Sequence, residues 1–128
     1  MKYNILICGA GQLGSRYLQG IAKLKYNYCL FVYDISAKSI KRASKRWDDV
    51  KKNKFFFNIY FIKSLNLVPQ KIDFVIVSSI SSVRANIIKK VISNTFVKYW
   101  ILEKVLAQNE NQIRLIESLI KNSEGAWV

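Results

Sequence analysis

Tyr3-Asn4-Ile5-Leu6-Ile7-Cys8-Gly9-Ala10-Gly11-Gln12-Leu13-Gly14 is the stretch from which the fold is read. The apolar, β-branched run from Tyr3 to Cys8 is short enough for a strand buried on both faces. It runs directly into Gly9, Gly11 and Gly14, the G-x-G-x-x-G spacing that brings backbone close to a pyrophosphate at a helix N-terminus. Alone, that spacing is a weak signal. Its context strengthens it: a helical stretch begins near Gln12, and Asp34 closes the next apolar run about 20 residues further on. Gly9 then allows the tight turn, Gly11 the approach of phosphate, and Gly14 the packing of helix on strand. Ala10 completes the turn, and the amides of Gln12 and Leu13 open a helix whose partial positive end favours an anion.

Outward from this turn, strand and helix patterns alternate. Leu13, Tyr17, Ile21 and Leu24 recur at helical spacing and predict an inward stripe. Asn27 marks a turn, and Tyr28 to Tyr33 reads as the second strand. Ser36 is placed to cap a helix from Ala37 to about Asp49 that buries Ile40, Ala43 and Trp47. Phe55 to Ile62 predicts a third strand, and Lys63 to Gln70 a short turn stopped by Pro69. Asp73 to Ser78 is the clearest later strand, followed by a polar loop to Ser82 and a helix from Val83 to Asn94 with Ile87 and Val91 inward. Lys98 to Leu102 is the fifth strand. A helix over 109–123 turns Ile113, Ile116 and Ile120 inward, and Gly125 to Val128 begins an extended segment. Such alternation predicts right-handed βαβ units: an α/β, Rossmann-type doubly wound parallel sheet, ordered 3-2-1-4-5 with a sixth strand starting at the C-terminus.

Composition bounds the remaining choices. With 128 residues, 51% hydrophobic and a single proline, the chain reads as one folded domain spanning residues 1–128. No apolar run approaches the ~20 residues of a membrane helix, and no signal-peptide pattern opens the chain, so a cytoplasmic protein is expected. The net charge of +13 comes from scattered lysines. Without an aromatic-basic RNA signature it reads as a solvated surface that attracts anionic ligands, with neither nucleic acid nor membrane as partner. No histidine and no zinc spacing is present, so no metal site is expected. Cys8 and Cys29 fall at opposite ends of neighbouring strands, roughly 13 Å apart at ~3.3 Å per residue, beyond disulfide reach.

In such a sheet, ligands bind beyond the carboxyl ends of the strands. Those ends are Gly9 to Gly14, Asp34, Ser78-Ser79 and Glu103-Lys104. Asp34 is placed to accept the adenosine ribose hydroxyls, and its charge disfavours a 2′-phosphate, so NAD is expected over NADP. Lys38 and Arg42 lie nearby in sequence and offset that repulsion in part. Ser78 and Ser79 face the phosphate or the nicotinamide ribose, and Glu103-Lys104 the crevice where nicotinamide would lie.

Together the glycine turn, Asp34, the Asp73 to Ser79 strand and loop, and Glu103-Lys104-Val105-Leu106-Ala107 resemble the N-terminal domain of the Gfo/Idh/MocA oxidoreductases. The last segment matches that family's Glu-Lys-Pro motif and is more specific than the glycines. The resemblance implies a nicotinamide-binding domain followed by a second α/β domain, and reversible hydride transfer on a sugar-like substrate. In that picture Lys104 is catalytic, lying beside the reacting hydroxyl or ketone. Three positions depart from the pattern: Val105 replaces the family's proline, Arg84 lies where many members carry histidine, and Ser79-Ile80 replaces a Thr-Pro pair. Measured against the family, the chain reads as truncated and lacking the substrate domain, so it is expected to bind cofactor without turnover. A competing expectation is a regulatory NAD(H)-sensing module like those that gate potassium transport, which share the glycine turn and the acid on strand two. An exposed sheet edge at Trp127-Val128 makes homo-oligomers an expectation as well.

Overall fold

The computed structural model describes residues 1–52, 54–104 and 106–128, with the backbone alone for Phe56 and Phe57. Strands β1 (Lys2–Cys8), β2 (Asn27–Tyr33), β3 (Phe56–Ile62), β4 (Lys71–Val77), β5 (Phe96–Leu102) and β6 (Gly125–Trp127) alternate with helices. These are α1 (Gln12–Ile21), α2 (Ala37–Asp49), α3 (Ser81–Asn94) and α4 (Glu110–Ile120), with a short 3-10 turn at Leu65–Leu67. All strand pairs are parallel and their order is β3-β2-β1-β4-β5-β6, the predicted doubly wound arrangement with its sixth strand in place.

The sheet is the middle layer. Residues 28–33 of β2 are buried throughout, because helices cover both of its faces. On one face Leu18 and Ile21 of α1 and Ala43 and Trp47 of α2 meet Ile5, Ile7, Leu30 and Val32. On the other, Ile88 and Val91 of α3 and Ile116 of α4 meet Leu6, Val75, Trp100 and Leu102. Burying each leucine, isoleucine or valine among them stabilises the fold by about 1.5–3 kcal/mol. Ser36 accepts from the Ser39 amide as the N-cap of α2, as its position predicts.

Several boundaries and faces differ from the sequence expectation. In α1 the buried positions are Gly14, Ser15, Leu18 and Ile21, whereas Leu13 and Leu24 are exposed. Gly14 packs against the Gly9 carbonyl, which turns its own stripe inward and Leu13 outward. Asn27 belongs to β2 rather than to a turn. β4 and β5 each begin two residues early, because Lys71 and Ile72 pair with Phe96 and Val97. α4 stops at Ile120, and the Glu124 amide then bonds the Lys98 carbonyl to start β6. Cys8 and Cys29 are free and buried, and burial pushes both thiols up.

An aromatic ladder of Tyr26, Tyr3, Phe74, Tyr99 and Trp127 crosses one sheet face, with Phe74 and Tyr99 stacked at 5.5 Å. It borders an apolar hollow of about 510 Å³ that holds none of the predicted site residues. No helix among the described residues is long and apolar enough to cross a membrane.

Candidate functional site

Parallel strands deliver all their carboxyl ends to one edge, and a row of backbone hydrogen bonds fixes the loops that leave it. Asp34 N donates to Ile62 O (3.3 Å), Gly9 N to Tyr33 O (2.9 Å), Ser78 N to Cys8 O (2.9 Å) and Glu103 N to Val77 O (3.2 Å). Each loop thus begins bonded to the last carbonyl of the neighbouring strand, which carries sheet order into the site.

The three glycines of the turn have different reasons to be glycine. Gly9 has φ +106°, a conformation L side chains rarely adopt. A Cβ on Gly14 would lie 1.9 Å from the Gly9 carbonyl oxygen, so helix and turn touch there without room for a side chain. At Gly11 a Cβ would meet nothing within 4 Å. Gly11 is also the N-cap of α1, without a side-chain cap and without an acid in the first helical turn. The amides of Gln12 and Leu13 therefore face open space with the helix dipole behind them, an arrangement that receives an anion.

Asp34 is half-buried and spends both carboxylate oxygens on backbone amides: Oδ2 accepts from Ala10 and Oδ1 from Ser36, each at 2.8 Å. It clips the glycine turn to the end of β2. A carboxylate has about four acceptor sites, so lone pairs remain for ribose hydroxyls. Ser78 donates to the Gly9 carbonyl at 2.9 Å and to Cys8 at 3.2 Å, so its hydroxyl serves the turn. Ser78 also lines the cleft beside Ser79, whereas Gly9, Ala10 and Gly14 are not among its lining residues.

The cleft has a volume of about 510 Å³ and runs between Gly11, Gln12 and Leu13 on one side and Ser79, Glu103 and Lys104 on the other. Ser79 Oγ is buried there with no hydrogen-bond partner among the described residues, an unmet polar group that a ligand hydroxyl or phosphate would satisfy. Lys104 is exposed at the cleft and makes no hydrogen bond or ion pair among the described residues. Val105, the departure from the family's proline, lies outside the described residues. Lys38 is exposed and Arg42 half-buried on α2. Among the described residues no group of three or more His, Cys, Asp or Glu gathers as for a metal ion.

Two residues of the site make contacts that the sequence reading did not assign to them. Tyr17, read only as an inward helix residue, donates its hydroxyl to Glu103 Oε1 from across the cleft. Burial and then the Glu103 hydrogen bond and charge push the Tyr17 phenol up to about 12. The available signal was its spacing: Tyr17 is one turn beyond Leu13 and shares its face. Arg84 is 2% exposed and donates to the backbone carbonyls of Glu103, Leu106 (3.0 Å) and Ser79 (2.6 Å). Burial pulls its guanidinium below the usual range, opposed by the Glu103 carboxylate. A charged residue at the head of the stripe Arg84, Ile88, Val91 was the sign that backbone acceptors awaited it.

No protein-family model matches the chain, and no curated protein does. Solved structures do. A myo-inositol dehydrogenase from Corynebacterium glutamicum aligns with TM-score 0.65 and 15% identity over 99% of this chain and 36% of its own. The Lactobacillus casei myo-inositol dehydrogenase solved with NAD(H) and myo-inositol gives 0.65 and 17% over 96% of this chain and 34% of its own. Lactate dehydrogenase from Trichomonas vaginalis, solved with NADH and oxamate, gives 0.67 and 15% over 95% and 43%. This chain therefore spans well under half the length of the solved chains it matches. What the likeness establishes is the fold: a Rossmann domain of the type built into these dehydrogenases.

Proposed function

We propose that this chain binds a nicotinamide dinucleotide, as the cofactor half of a hydride-transferring oxidoreductase of the Gfo/Idh/MocA kind. One observation carries the reading. The uncapped N-terminus of α1 opens, at the side-chain-free Gly11, into the same cleft that holds Glu103 and Lys104. Anion recognition and a free ammonium group share one space.

The pyrophosphate would lie on the amides of Gln12 and Leu13, the adenosine ribose at Asp34, and the second ribose at Ser79 and Glu103. The nicotinamide, when bound, supplies or accepts the hydride. Lys104 Nζ then hydrogen-bonds the oxygen of the reacting hydroxyl or ketone and gives or takes its proton. A sugar-like polyol is the proposed substrate. Its remaining contacts belong to a second domain, so this chain alone holds cofactor without turnover. The Asp34 carboxylate supports NAD over NADP, because a fixed negative charge at the ribose repels a 2′-phosphate.

NADH fluorescence titration of this chain tests the reading. Gly11→Val keeps the fold, since the side chain enters open space, and abolishes NADH binding by filling the pyrophosphate approach. Unchanged binding would remove the turn from the site. Tighter binding of NADPH than NADH would overturn the cofactor preference.

A further inference from the structure

Glu103 is held from two directions by residues that the resemblance does not supply. The Tyr17 phenol, on α1, holds its carboxylate through Oε1, and the buried Arg84 guanidinium, on α3, holds its backbone carbonyl. Arg84 also bonds the Leu106 and Ser79 carbonyls at 3.0 and 2.6 Å. One cation therefore joins the loop after β4 to the loop after β5, and the phenol joins the second of these to α1.

We propose that Tyr17 and Arg84 are positioning residues for the nicotinamide half of the site, presetting Glu103 and Ser79 to receive it without touching it themselves. This rests on the dinucleotide reading above. A glutamate side chain in an open cleft loses rotamer freedom on meeting a ligand, and a partner that has already fixed it removes that cost from binding. Tyr17 engages only Oε1, and Oε2 has no partner among the described residues. Arg84 fixes the backbone of Ser79, whose hydroxyl is the buried group left without a partner. Oε2 is a pure acceptor and Ser79 Oγ both donates and accepts. A ribose diol or a primary carboxamide carries the complementary set, and the nicotinamide half of the dinucleotide contains both. The adenosine ribose is assigned to Asp34, which none of these hydrogen bonds involves.

That division gives the test. Dissociation constants are measured calorimetrically for ADP, ADP-ribose and NADH on the wild-type chain, Tyr17→Phe, Glu103→Ala, the double variant and Arg84→Met. Tyr17→Phe, which removes one hydroxyl, is expected to weaken NADH about tenfold, the value of a hydrogen bond to a charged group, and to leave ADP within about twofold. In the Glu103→Ala background the same substitution is expected to change NADH affinity little, since its effect runs through that carboxylate. Equal losses for ADP and NADH, or an undiminished effect without Glu103, would overturn the proposal and leave a merely structural tyrosine. If Arg84→Met fails to fold, the Tyr17 cycle still decides. Weakening of ADP-ribose along with NADH identifies the ribose as the group received, and weakening of NADH alone identifies the carboxamide. Wild-type protein that binds ADP and NADH equally overturns this inference but not the nucleotide site. Binding of neither overturns both.

Discussion

At the residue scale, Gly11 and Gly14 separate what a ligand needs from what the fold needs. Gly14 meets a carbonyl that cannot retreat, because Gly9 is bonded through its amide to Tyr33 and through its oxygen to Ser78. Gly14→Ala forces the helix off the turn. Its expected cost is about 3 kcal/mol or more, the upper range for overpacking, since a 1.9 Å approach to backbone has no flexible neighbour to absorb it. Gly11→Ala is expected to change stability by under about 0.5 kcal/mol, because its φ of −72° is open to alanine and the Cβ meets nothing. Urea midpoints of the two variants check this pair. Equal losses would mean that the turn is not packed as described. The spacing of these glycines was legible in the sequence, but their division of labour was not. That division depends on Ser78 and Tyr33, which only the parallel sheet brings beside the turn. Asp34 has the same character: its position at the end of β2 suggested a ribose acceptor, and the fold adds a clip on the Ala10 amide.

At the scale of elements, the strands were legible because continuous apolar runs leave few alternatives, and α2 because its cap and buried face agree. α1 was harder. Two stripes coexist in it, Leu13-Tyr17-Ile21-Leu24 and Gly14-Leu18-Ile21, and apolar weight favours the first. A tertiary contact, Gly14 on Gly9, selects the second. Leu18 is fully buried and Leu13 is 40% exposed. Leu18→Ala is therefore expected to cost 2–5 kcal/mol, roughly the range for truncating a buried leucine, and Leu13→Ala about 0.5 kcal/mol or less. Chemical denaturation of both variants checks the helix face, and the reverse ranking would restore the first stripe. α3 teaches the same point through polarity. Periodicity puts Arg84 on the inward stripe with Ile88 and Val91 while its charge argues for the outside, and three backbone carbonyls at the loop ends make the inside the better solvated place.

At the scale of the whole molecule, the distribution of titratable groups sets how stability responds to alkali. Burial pushes Tyr28 from its ordinary 10.0 up to about 12, and burial with the Glu103 bond does the same for Tyr17. Burial also raises the Cys8 thiol above its ordinary 9.0. In each case the folded state holds the proton more tightly than the unfolded chain does. The stability this contributes is complete below the unfolded values and is lost as pH rises from about 9 through 12. With no histidine in the chain, no imbalance of imidazole protonation adds a step between pH 5 and 8. An opposing effect comes from the net charge of +13, since deprotonation relieves repulsion among surface lysines. Exposed charges are screened within about 10 Å at 0.1 M salt, whereas a tyrosine with no exposure is not, so added salt removes the opposing effect first. The urea midpoint at 0.5 M salt is therefore expected to hold steady to about pH 9 and to fall steeply above 10. Tyrosinate absorbance should rise in step with the loss of far-UV circular dichroism. Tyr28→Phe, which keeps the ring and removes the ionising group, is expected to move the fall to higher pH. Smooth ionisation of every tyrosine with the dichroism unchanged to pH 12 would show that burial does not protect these phenols.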